Sequence, residues 1–399
     1  MDTNSVAKRN VLLLSASQAI AGAAAPLSIS IGGLAGFYLL GDDKTLATAP
    51  VTAFNVGTAL VALPAAMLMR NIGRRLGFIS GASIAICGML IAGSALMIGN
   101  FWLFAVGLMF IGGGNSFTQQ YRFAAADQGD EKFKVKAISW VLAGGIGAAV
   151  IGPQVVIHAR ELMAPIPFAG AYFAGTGLLL IAILILSFLR FEKPLSKKDR
   201  ANEDTGRPLF EIMTQPRFMV SVICAIGAYT LMAFVMTAAP LAMIACGISI
   251  EDSTLGIQWH VMAMFGPSFF TGHLIARFGK EKIVAVGMFI LVTCALVALS
   301  GIELWQFWLA LVLLGIGWNF GFIGATAMLT ECYRPEEKSK AQGANDFLLF
   351  GSVAFASLMS GQTLNAYGWD TLNMVIFPVV VLCLAALVLL LRSERKKAA

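Results

Sequence analysis

The chain has 399 residues, 58% of them hydrophobic and 13% charged, with a formal net charge of +6 and a mean hydropathy of +0.79. That balance leaves too little polar surface for a soluble domain. Because Lys and Arg lie between apolar runs and not on one folded surface, the positive charge points to membrane topology and argues against a nucleic-acid partner.

Apolar runs of about 20 residues recur along the chain, each long enough to cross a hydrocarbon layer about 30 Å thick. Twelve spans are predicted, at 11–40, 51–70, 76–98, 101–123, 138–157, 168–189, 218–245, 255–275, 283–302, 307–329, 341–361 and 371–391. The first follows Lys8-Arg9 but is too long for the apolar core of a secretory signal. With both termini inside, every Lys and Arg except Lys44 and Arg160 falls on the cytoplasmic side, the asymmetry expected of a multi-pass protein. The absence of N-x-S/T acceptors fits a bacterial inner membrane.

The stretch 190–217 is rich in charge and poor in aromatics and reads as a cytoplasmic linker. It divides the chain into an N-terminal six-helix bundle, 1–189, and a C-terminal bundle with a short basic tail, 218–399. The halves are related. Ile72-Gly73-Arg74-Arg75 follows an apolar run, Phe278-Gly279-Lys280-Glu281 follows another, and the same offset superimposes Phe101-Trp102-Leu103 on Phe307-Trp308-Leu309. One offset fitting two separate segments marks an internal repeat.

Hydrolytic, redox and nucleotide-driven functions find no support. The chain contains no G-x-x-x-x-G-K-[ST], no H-E-x-x-H and no metal-spaced Cys/His cluster. Its six cysteines never form C-x-x-C and read as small core residues. No cofactor, metal or catalytic residue is expected, and the chain reads as a non-enzyme.

Twelve spans, a six-plus-six repeat, a charged central linker and a G-x-[RK]-rich loop after spans two and eight together resemble the major facilitator superfamily over essentially the whole chain. Against the pattern G-x-x-x-D-[RK]-x-G-[RK]-[RK], Gly73, Arg74 and Arg75 match in the first half, and Gly272, Arg277, Gly279 and Lys280 in the second. The aspartate is replaced by Arg70 and Ala276. The span-five segment from Gly144 to Pro153 matches the antiporter pattern only in part, and its small residues are explained by close helix approach. Gln120-Tyr121-Arg122-Phe123, with Gln258-Trp259-His260 and Gly317-Trp318-Asn319-Phe320, looks like a poorly characterised bacterial branch of the superfamily. Vitamin importers, riboflavin permeases among them, are candidate relatives, and no motif carries that substrate.

The resemblance implies alternating access around a cavity lined by spans one, four, seven and ten. Asn115, Gln119 and Arg122 fall on one stripe of span four, which faces either the cavity or another helix, since an amide stripe toward lipid is costly. Gln18 in span one, Tyr229 in span seven and Trp318 and Asn319 in span ten complete the candidate substrate site. For Tyr229 and Trp318, packing inside the bundle competes with substrate stacking. Two aromatics with amides nearby suit a flat or amphipathic organic solute better than an inorganic ion.

Candidate coupling and gating residues are Arg70, Arg74, Arg75, Arg122, His260, Arg277 and Asp346. His260 or Asp346 could carry a coupled proton, or His260 could be a neutral core histidine satisfied by a carbonyl or by Gln258. Arg70 facing Asp346 would preserve the family's inner gate with its charges exchanged. The repeated K-x-K-A at Lys134 and Lys338 is either a gate element pairing with Asp127 or Glu331 or a solvated anchor. The expectation is a monomeric secondary transporter in the lipid bilayer, taking up a small organic solute with protons as the candidate coupling ion. Efflux by drug or metabolite antiport, and a non-transporting receptor on the same fold, are the competing readings.

Overall fold

A computed structural model describes residues 3–126, 131–191 and 206–398. Among them the chain is all helical, with no strand. Ten helical stretches are long and apolar enough to cross a membrane. The fifth and eighth spans complete twelve crossings as a shorter apolar stretch within a longer helix and as a broken helix.

In chain order α1 (Thr3–Ala21) and α2 (Ala24–Leu39) form the first crossing, followed by α3 (Ala49–Ile72) and α4 (Arg74–Met97). The fourth crossing is α5 (Phe101–Thr118) with α6 (Tyr121–Ala126); α7 (Glu131–Ala159) and α8 (Ala169–Ser187) complete the first bundle. A short α9 (Leu209–Met213) precedes the second bundle. It consists of α10 (Pro216–Ala245), α11 (Ile250–Phe265) with α12 (Ser268–Phe278), α13 (Lys280–Leu299), α14 (Leu304–Leu329), α15 (Lys338–Met374) and α16 (Ile376–Ala398).

Two breaks differ from the continuous spans expected, and each has a local cause. Pro26 has no N–H to offer the Gly22 carbonyl, which accepts from the Ala25 amide at 3.3 Å instead, so the first crossing bends there. Gly266-Pro267 interrupts the eighth crossing in the same way. The loop expected at 362–370 between spans eleven and twelve is shorter than that: helix runs up to Gly368, whose non-helical φ of 80° and ψ of −178° break it, and helix resumes directly after it.

The repeat read in the sequence is present in the backbone. Gly73 (φ 86°, ψ 159°) ends α3 and starts α4, and Gly279 (φ 93°, ψ 153°) ends α12 and starts α13. Both conformations belong to glycine almost alone. The packing repeats too. A Cβ on Gly88 of α4 would lie 2.6 Å from the Ile111 amide of α5, and one on Gly287 of α13 would lie 2.4 Å from the Gly321 amide of α14. In each bundle two helices therefore meet backbone to backbone, the small-residue packing that associates helices in lipid.

The large apolar side chains left exposed, such as Leu60, Trp102, Leu184, Phe289 and Phe355, project from the crossings. In a multi-pass membrane protein this is the surface that faces lipid.

Candidate functional site

A central cavity lies between the bundles, enclosing about 1060 Å³ of space with its open mouth included. Its position follows from how the bundles meet. On the side opposite the chain termini they touch: Gln154 of α7 donates from Nε2 to Gln258 Oε1 of α11 at 3.0 Å. There too, Gly361 of α15 faces Thr48 so closely that a Cβ would lie 2.3 Å from its hydroxyl.

Five of the residues singled out in the sequence meet at the cavity: Gln18, Asn115, Gln119, Arg122 and Tyr229. Asn115 and Gln119 reach it together because they are four residues apart on one helix face. Tyr229 stands edge-on to Trp318, Phe322 and Phe350, with ring centroids 5.3, 5.2 and 5.9 Å away. Trp318 itself is not a lining residue. It stacks on Phe322 at 5.1 Å behind Tyr229 and Phe265, and so supports the wall from the second layer.

Asn319, expected at the cavity, is fully buried elsewhere. Its Nδ2 donates to the Met264 carbonyl at 2.6 Å and to Ser268 Oγ at 2.8 Å, and its Oδ1 accepts from Thr271 Oγ1 at 2.7 Å. These partners flank the Gly266-Pro267 break. Asn319 is therefore a brace that replaces hydrogen bonding lost where proline interrupts the helix.

The coupling candidates separate in the same manner. His260 is fully buried, with Nδ1 2.7 Å from the Leu311 carbonyl. One ring nitrogen thus has the carbonyl partner of a core histidine and Nε2 has none among the described residues, while Gln258 is engaged with Gln154. Asp346 is half-buried and accepts from Asn345 Nδ2 at 3.1 Å. Among the described residues no ion pair joins Arg70 and Asp346 in this structure, which is closed on the opposite side, the state in which such an inner gate is open; the guanidinium whose charge acts on Asp346 is that of Arg122. Arg70, Arg74 and Arg75 sit around the α3–α4 junction on the terminal side, and Arg277 lies there over the Phe278 ring at 5.2 Å.

Glu331 does not pair with the second K-x-K-A segment. Arg217 and Lys280 hold it, and Arg217 also bridges Glu281 at 2.5 Å and Glu394 at 2.7 Å. Partial burial pushes the Glu331 carboxyl up, but Lys280 and Arg217 outweigh it and hold the carboxyl below its ordinary range. Lys340 Nζ instead donates to the Arg207 carbonyl, and Lys338 lies 6.0 Å over the Phe123 ring. Asp127 lies outside the described residues.

Asn55, Phe265 and Phe350 line the cavity and were missed in the sequence, as were Met232, Met236 and Met264. Asn55 carried a signal, being an amide inside an apolar span. It was passed over because span two is not among the four helices that the family resemblance places at the cavity. The phenylalanines and methionines look like any core residue until the fold turns them inward.

The sequence model of the Major Facilitator Superfamily matches residues 11–301 and 261–399. The chain is 48% identical over 394 residues to the riboflavin transporter RfnT of Brucella anthropi, across 99% of this chain and 98% of that one. It is 29% identical over 399 residues to YddS of Bacillus subtilis, an uncharacterized MFS-type transporter, across 95% and 91% of the two chains. Among solved structures, the nucleoside transporter NupG superposes with a TM-score of 0.74 at 13% identity, covering 95% of this chain and 99% of that one. FucP, a transporter in the outward conformation, gives 0.63 at 16% identity, with 95% and 96% covered.

Proposed function

Because the chain belongs to the major facilitator superfamily, we propose that it takes up riboflavin or a close flavin relative across a bacterial inner membrane. Bundles 1–189 and 218–399 rock about the central cavity, and the terminal side faces the cytoplasm. The observation that carries this reading is the cavity, with carboxamides on one wall and aromatic and methionine side chains on the other. A planar ring with a hydrogen-bonding chain fits such a lining, whereas an inorganic ion does not. The relative at 48% identity, a riboflavin transporter by name, supports the same solute.

Protons are the proposed coupling ion and Asp346, beside Arg122, their proposed carrier, since an ionisable group within the bilayer bundle is costly unless used. The protein acts as a monomer, its cavity lying within one chain. Expression in a riboflavin-auxotrophic bacterium tests uptake: growth is restored at low external riboflavin. No rescue by a well-expressed, membrane-inserted protein, or faster loss of preloaded flavin, contradicts import.

A further inference from the structure

The flavin reading treats the cavity as one site, but its walls differ in kind. On the first bundle Gln18, Asn55, Asn115 and Gln119 line it with carboxamides. Among the described residues none of these four side chains hydrogen-bonds to the protein. Other polar side chains nearby are engaged: Thr58 Oγ1 donates to the Gly112 carbonyl at 3.0 Å and Ser116 Oγ to the Thr58 carbonyl at 2.5 Å. Because these four half-buried carboxamides reach the cavity and not a protein partner, they form on one wall a set of donors and acceptors available to a ligand.

The second bundle offers Tyr229, Phe265 and Phe350 with three methionines, and the Tyr229 hydroxyl is its one polar side-chain group on the cavity. The carboxamides also extend along the membrane normal. Asn55 lies in the first two turns of α3, toward the side opposite the termini, and Gln119 ends α5, four residues and about 6 Å beyond Asn115 toward the terminal side. An array of that length matches an extended chain of hydroxyls better than the short edge of a ring.

We propose that the first bundle alone reads the polyhydroxylated chain of the substrate, with Asn55 as an unassigned specificity-determining residue, while the planar heterocycle lies against the aromatic wall of the second bundle. This rests on the flavin reading. Its consequence is that polar recognition and ring stacking separate when the bundles rock apart.

The test is equilibrium binding to the purified full-length protein with riboflavin and with lumichrome, which keeps a planar ring and lacks the hydroxyl chain. Asn55→Leu weakens riboflavin about tenfold and lumichrome less than about twofold. Phe350→Ala weakens both by a similar factor. Gln119→Leu, on a different helix, gives the same pattern as Asn55→Leu and serves should that variant fail to fold. If wild type binds riboflavin but the amide variants leave its affinity unchanged, or weaken both ligands equally, the division of the walls is overturned while the flavin reading stands. If wild type binds neither flavin, the functional reading itself fails and this inference falls with it.

Discussion

Asn319 and Met264 are joined across the break in the eighth crossing, the amide of one donating to the carbonyl of the other at 2.6 Å. The same side chain holds Ser268 and Thr271 on the far side of Pro267. One residue of α14 thus splints two half-helices, and Phe265 enters the cavity from the last turn before the break. Asn319→Leu removes three hydrogen bonds at once, although Thr271 Oγ1 keeps its bond to the Pro267 carbonyl at 2.8 Å. It is expected to lower stability by about 1–3 kcal/mol, read as a lower melting temperature, with riboflavin affinity weakened through Phe265. A variant that melts like wild type contradicts the brace.

Gln154 and Gln258 close the cavity on the side opposite the termini. Interhelical hydrogen bonds in lipid are worth about 0.6 kcal/mol on average and up to about 1.7. Gln154→Ala should therefore favour the outward-open state roughly threefold, and at most about eighteenfold. Spin labels at Asp42→Cys and Glu251→Cys, one on each bundle, report it as growth of the longer inter-label distance. An unchanged distribution rejects this contact as part of the gate.

His260 and Asp346 are both candidates for proton carriage by residue type, and their surroundings differ. The His260 ring is fully buried with Nδ1 at the Leu311 carbonyl, whereas Asp346 is half-buried and feels the charge of Arg122, which lines the cavity. His260→Asn is expected to keep gradient-driven flux and its pH dependence. Asp346→Asn should abolish the response to an imposed pH gradient and retain riboflavin binding. Flux measured in proteoliposomes across a pH series distinguishes them, and the reverse pattern transfers the role to His260.

Where the linker rejoins the second bundle, Glu337 accepts from Arg207 Nη2 at 2.7 Å and from the Arg207 and Arg334 backbone amides at 2.8 and 2.9 Å. The Arg207 hydrogen bonds hold its carboxyl well below the ordinary carboxylate range, with burial opposing. A pKa depressed in the folded state contributes stability that is complete above the unfolded value of about 4.3 and lost as pH falls through the folded value. Melting temperature is thus expected to hold from pH 7 to about pH 5 and to drop in strong acid. Glu337→Gln lowers it at pH 7, since Arg207 loses its partner, and flattens the acid limb. An identical acid limb in both proteins contradicts the clasp.

Much of the fold was legible because membrane insertion writes itself in one dimension. Hydropathy marked the crossings, and Gly73 and Gly279 marked equivalent turns. Depth, however, is not rotation. Asn115 and Asn319 are both mid-span amides, and nothing in the sequence says that one faces the cavity and the other the kink at Pro267. The Gly266-Pro267 pair was a readable break signal that an uninterrupted apolar run outweighed. Asn55 lies on span two, outside the four helices that the family resemblance places at the cavity.

The proposed function requires that this cavity carry a flavin inward. Uptake of labelled riboflavin into proteoliposomes with purified protein, with and without an outside-acid gradient, tests it most directly. Saturable influx that rises with the gradient and falls in Asn55→Leu and Phe350→Ala is the predicted result. Influx no greater than in empty liposomes, from protein that is folded and inserted, contradicts it.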